Sequence, residues 1–388
     1  MGRLDRTRII LAKIQPTVGT DSVPTGAANA ILLAGMPKVT PFKANNVPRD
    51  LIRSYFGASE QLVGTGYVEM ELPVELQGSG TGGSAPPWGP LFRGAGWAET
   101  LLAAPVTGTA QAGAAGTITL AAGASAVDDF YNGMRLTLTG GTGSGQSAQI
   151  LDYVGSTKVA TIGPAWSVTP NGTSTYSIAA NAAYRPTSTA LELLSVYYWR
   201  DGLQRKLIDC RAKIENMDFA IGARPTARLR LMGIDAGVAA VANPSLTLTG
   251  WKTPAVITDP NTGDILINGV AYPSRGFTVS GGEEVGYTPL LGGQAIDITG
   301  RDITGNLGLD LTAAQAATFD TGVKANTLYT FGFQHGTTDG YRLLAQAPAV
   351  QLLDQSEDEV NKRALEGFSA RFLPSAVGGG DDFALIAS

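Results

Sequence analysis

The sequence predicts a mainly β protein: tandem β-sandwich or barrel domains with short flanking helices, plus a small β-domain inserted into the first. Glycine is abundant, at 50 of 388 residues, while aromatic residues make up 7% and charged residues 16%. Short runs rich in Val, Ile, Leu, Thr and Tyr recur along the whole chain between Gly- and Pro-containing turns, the pattern of many short strands. One segment alternates cleanly: Val68, Met70, Leu72, Val74 and Leu76 point one way, and Glu69, Glu71, Pro73 and Glu75 the other. The glycines keep no three-residue period, which excludes collagen. The 44% hydrophobic content is spread evenly, which excludes disorder.

Taken in order, the N-terminal arginines Arg3, Arg6 and Arg8 precede Ile9-Ile10-Leu11, an apolar run too short for a signal peptide and interrupted by Lys13. A short helix is expected over Pro48–Phe56, with Pro near its start and Gly57 as its stop. Residues 104–182 carry only five charged residues, Asp128, Asp129, Arg135, Asp152 and Lys158, and about five strand-like runs, among them Thr117–Leu120, Arg135–Leu138, Gln149–Val154 and Lys158–Ile162. This stretch reads as the inserted domain. Beyond it, Asp201-Gly202 sits between two apolar runs, Ala190–Trp199 and Leu203–Ile214, as a hairpin turn. A second helix is expected over Thr312–Phe319, and Asp339-Gly340 then repeats the hairpin pattern about 140 residues after the first. The expected division is 1–103 with 183–240 as a discontinuous first domain, 104–182 as the insert, and 244–388 as a second, related domain.

Several function classes fall away. The net charge is −5, with no basic stripe for gripping nucleic acid. Cys210 is the only cysteine and reads as a buried apolar thiol; His335 is the only histidine, too few for a usual metal cluster, and Ser-His-Asp chemistry would have to rest on it alone, before a Gly-Thr-Thr-Asp-Gly turn, so it reads as a loop or surface residue. Nothing approaches the ~18 apolar residues of a membrane-spanning helix. Gly140–Ser147 imitates a phosphate-binding loop but carries Gln146 where the lysine belongs, and Gly78–Gly83 has the dinucleotide glycine spacing without a helix behind it. Both read as loops. Glu69, Glu71 and Glu75 could serve as paired catalytic carboxylates, but a solvated face is the simpler reading. No cofactor or metal is expected.

Several segments carry a resemblance, in order along the chain. They are Ile14 to Ile31 (Ile-Gln-Pro-Thr-Val-Gly-Thr-Asp-Ser-Val-Pro-Thr-Gly-Ala-Ala-Asn-Ala-Ile), Val74 to Gly80, Ala85 to Leu91, Gly94 to Thr100, and Tyr184 to Ser188. Together they resemble the major tail tube proteins of long non-contractile-tailed phages, over the first domain without its insert. The resemblance implies subunits assembled into rings that stack into a conduit for double-stranded DNA, with no catalytic residues. It implies partners as well: further copies of the same chain, a tape measure protein, tail terminator and distal tail proteins, and DNA in non-specific passage, with no membrane insertion. The expected place is the virion tail, assembled in a bacterial cytoplasm.

Family rings present six tube domains, so a chain with two would favour a homotrimer over a hexamer. Glu69, Glu71 and Glu75, with Asp297 from the second domain, are the expected lumen-facing residues, because an acidic bore would leave a polyanion free to slide. Two alternatives stand beside this reading. One is a baseplate, hub or secretion-system tube component; the other is a virion-surface carbohydrate-binding or hydrolysing β-protein.

Overall fold

The computed structural model, which describes residues 7–375 and 378–388, is mainly β, as the sequence predicts. Arg3 and Arg6 lie outside the described residues. The first half opens with β1 (Arg8–Gln15), β2 (Ala30–Ile31), β3 (Lys38–Pro48), β4 (Gln61–Glu75), a short helix α1 (Gly89–Gly94) and β5 (Trp97–Leu102). Next come β6 (Val106–Thr109), β7 (Ala112–Ala114), β8 (Thr117–Thr119), β9 (Arg135–Gly140), β10 (Ser147–Val154), β11 (Val159–Gly163) and β12 (Thr175–Ile178). The chain returns through β13 (Asn181–Pro186), β14 (Leu193–Arg200), β15 (Leu203–Ala220) and β16 (Thr226–Ala240). The second half contains β17 (Ile265–Ile267), β18 (Val270–Tyr272), β19 (Ser274–Ser280), β20 (Glu284–Leu290), β21 (Gly293–Gly300), β22 (Thr304–Leu309), helix α2 (Ala313–Lys324), β23 (Leu328–His335), β24 (Leu343–Val360), β25 (Arg363–Leu373) and β26 (Ala384–Ala387).

The two halves repeat one strand order. In the first, antiparallel pairing runs β1, β14, β15, β16, β4, β3. In the second it runs β17, β23, β24, β25, β22, β19. β14 and β23 each span 8 residues, and β15 and β24 each span 18. The rows across the sheets match too. Ala212, Leu231, Met70 and Val39 stand side by side in the first half, as Leu352, Ala370, Gly305 and Val279 do in the second. Both rows lie on the core side, where alternation places Met70, Leu72 and Val74 of β4 out of contact with water.

Residues 106–178 build a seven-stranded sheet of their own, in the order β6, β12, β9, β10, β11, β8, β7. Its core of Ile118, Leu136, Leu138, Ile150, Tyr153 and Tyr176 also takes in Leu344 and Ile386 from the second half. Gln149 Nε2 donates to the Ala345 carbonyl (3.0 Å) and Gln346 Nε2 to the Leu151 carbonyl (2.9 Å). The inserted sheet therefore rests on β24 and β26, far from its entry point in sequence.

Three local expectations need correction. No helix forms over Pro48–Phe56: β3 ends at Pro48 and an irregular tip follows, with Ile52 and Phe56 fully exposed. A short helix gains its stability from burying one face, and this tip has nothing to bury against. Asp201-Gly202 does make a two-residue turn, with φ +47° and +77°. Asp339-Gly340, in contrast, lies inside a longer loop, since His335 pairs with Leu343. That loop is held by a backbone contact elsewhere: Gly80 N–H donates to the Gly340 carbonyl at 2.8 Å. The insert, too, has seven strands where about five were expected. The second helix is present, starts on a reciprocal capping box of Thr312 and Gln315, and extends further than expected, to Lys324.

Candidate assembly surface and the joint between the halves

The two halves join edge to edge. β15 outruns β14, and its last four residues, 217–220, pair antiparallel with residues 276–279 of β19. Phe219 and Phe277 stack across the joint, with ring centroids 4.7 Å apart and planes 11° apart, and Phe331 and Phe333 pack edge-on against Phe277. Each ring so buried contributes roughly 1.5–3 kcal/mol. Gly276 has φ +110°, and a Cβ there would meet the Phe219 carbonyl oxygen at 2.0 Å, so only glycine fits this approach. β26 adds a second seam by pairing with both β13 and β24.

A buried carboxylate pins the joint. Trp97 Nε1–H donates to Glu283 Oε1 (2.8 Å), and the Ile214 backbone N–H donates to Glu283 Oε2 (2.9 Å). Glu283 is fully shielded from solvent, and that burial pushes its carboxyl above the usual range despite the two donors and the nearby Arg301 charge. Arg301 reaches the Gly96 and Thr187 carbonyls, both at 3.3 Å. Trp97 belongs to an aromatic cluster with Phe92, Trp88 and Tyr184 around α1. Trp88, Phe92, Trp97 and Tyr184 thus build the core beneath the joint.

Away from the core, the sheet presents a polar face that includes the expected lumen residues. Glu69, Glu71 and Glu75 do share this face, but each is ion-paired. Glu69 meets Lys43 and Arg230, both at 3.1 Å; Glu71 meets Lys38 at 2.9 Å; Glu75 meets Arg224 at 3.0 Å. Partial burial opposes ionisation of Glu69, but hydrogen bonds and charge contacts with Lys43 and Arg230 outweigh it and hold its carboxyl below the usual range. The face is therefore a lattice of alternating charge, which the acidic strand viewed alone did not disclose.

Across the joint this face continues as a groove of about 560 Å³ lined by Glu215, Asp302, Asp354 and Arg371, with Asp218, Arg275 and Asp358 beside it. Sequence reasoning missed these residues because they come from four strands and the loop before β22; only pairing puts them together. Asp297 sits elsewhere, exposed on the β20–β21 hairpin near Arg211, whose pKa is lowered by burial, an effect the Asp297 charge only partly opposes. That hairpin packs back over β15 and β16, and Tyr287 lies 5.0 Å from Tyr67.

The remaining motif residues take structural places. Gln146, at the lysine position of the phosphate-loop look-alike, braces its turn by accepting from the Ser167 and Val168 N–H groups and donating to the Gly143 and Val168 carbonyls. Gly78 lets the backbone approach Gly340, whose carbonyl oxygen a Cβ would meet at 2.1 Å. His335 is buried; its Nδ1 bonds the Thr262 hydroxyl (2.8 Å) and its Nε2 the Ala255 carbonyl (3.1 Å), and burial lowers its pKa. Cys210 is buried, and burial pushes its thiol pKa up. Among the described residues no group of three or more His, Cys, Asp or Glu is placed to hold a metal ion, and no helix is long and apolar enough to cross a membrane. Compared with known proteins, the chain matches no family model and no curated protein.

Proposed function

We propose that this chain is the structural subunit of a phage tail tube, assembling into stacked rings that conduct double-stranded DNA. The observation that carries the reading is the repeated β-unit whose two copies already join edge to edge into one continuous sheet. A unit that can add its edge to a copy of itself once can do so again, and a heterologous contact of this kind closes into a ring. Three chains then supply six units. The charge-alternating face suits a bore lining, because paired carboxylates and cations neither grip phosphates nor repel them strongly. The tips of two long hairpins expose Leu51, Ile52, Tyr55 and Phe56 on one and Leu290 and Leu291 on the other, apolar surface suited to burial between stacked rings.

The direct test is negative-stain microscopy of the purified protein over a range of concentrations. Rings or tubes are expected. Dispersed particles of single-chain size at every concentration would overturn the reading.

A further inference from the structure

The chain contains a worked example of its own edge pairing, and the other half of that pattern is left open. β15 and β24 are equivalent in length, in their place after an eight-residue strand, and in a bulge near their far ends. The last four residues of β15 pair with β19, and the first two of them, Met217 and Asp218, also pair with β16 on the other side. The last four of β24, residues 357–360, have β25 on one side, and among the described residues no strand pairs with the other. The matching rows across the sheets identify what is missing. Val39 occupies in the first half the place that Val279 occupies in the second, and among the described residues β3 pairs with β4 alone. Residues 36–39 are therefore the equivalent of the 276–279 segment that fills the internal joint.

We propose that residues 357–360 of one chain pair antiparallel with residues 36–39 of a second copy, in the register that β15 and β19 use inside the chain. This deepens the ring reading and rests on it.

Side-chain chemistry agrees with that register. Asp358 falls opposite Lys38, and directly opposed residues on antiparallel strands share a face. Val360 falls opposite Met36, a methionine left 53% exposed. The donating edge is acidic, with Glu357, Asp358 and Glu359 all exposed. The receiving edge is basic: it carries Lys38 and Lys43, and Arg8 donates to the Pro37 carbonyl at 3.0 Å. Pro37 has no N–H, so in this register the Glu359 carbonyl opposite it goes without one ladder bond; the same missing donor guards the edge against indiscriminate pairing.

The test places cysteines at Met36 and Val360 in the full chain and treats assembled protein with a short thiol cross-linker; buried Cys210 serves as the unreactive background. Covalent multi-chain species are expected from the M36C/V360C variant and absent from either single variant. A ceiling at three chains would in addition support the ring count. An independent measurement uses charge. Asp358→Lys should raise the concentration needed for assembly about tenfold, and adding Lys38→Asp should restore it. If the wild type forms rings but the double-cysteine variant yields no linked chains, or links only within one chain, this pairing is overturned and the ring reading survives. If the wild type forms no rings, both fall together.

Discussion

At the residue scale, Glu283 is the group on which the internal joint is most exposed to perturbation. It accepts from two buried donors, the Trp97 indole and the Ile214 amide. Glu283→Ala would leave both without an acceptor and should cost about 3 kcal/mol in chemical denaturation. Its pH behaviour has a definite sign. The folded carboxyl pKa is raised, so the unfolded state releases its proton first, and the contribution to stability is lost as pH rises through the folded value. Melting curves between pH 4 and 8 should show the wild type losing ground to Glu283→Gln as pH increases. A difference that stays flat, or grows in favour of the wild type, would mean the carboxylate is stabilised as an anion.

At the element scale, β4 and the inserted sheet each acquire a prediction that their sequences alone would have framed differently. Converting Glu69, Glu71 and Glu75 to Lys leaves the buried face of β4 intact but removes the partners of Lys38, Lys43 and Arg224 and leaves Arg230 only Glu215. The face then turns strongly basic. Tubes of this variant should retain double-stranded DNA at low salt and release it as salt rises, in a filter-binding or ejection assay. DNA retention equal to wild type would remove the face from the lining. For the insert, excising residues 106–180 uncovers Leu344 and Ile386, which the inserted sheet now buries. The deletion should therefore be paired with Leu344→Thr and Ile386→Thr, and this variant is expected to form tubes of smaller outer diameter. A folded deletion protein that forms no tube would make the insert part of the wall.

At the scale of the whole molecule, two β-units on one chain halve the number of separate encounters needed to close a ring, since every second edge contact is intramolecular. That arrangement predicts three inserted sheets around a wall with pseudo-sixfold repetition. An electron cryomicroscopy cross-section resolves it: three peripheral densities per ring are expected, and six would mean that the second half lies outside the wall.

The sequence by itself determined the β class, the alternation of β4 and the Asp201-Gly202 turn. Each of these is a local signal, carried by residues within a few positions of one another, where the period of two or a turn's need for positive φ acts directly. Tertiary structure alone decided the rest. It set Lys38, Lys43, Arg224 and Arg230 against the glutamates of β4, turning an acidic strand into a balanced lattice. It brought Glu283 to Trp97 across 186 positions, and Gly80 to Gly340. It left the tip after Pro48 without a surface on which a helix could form. These outcomes depend on which strand lies beside which, and a strand's own residues specify its buried face more strongly than they specify its neighbour.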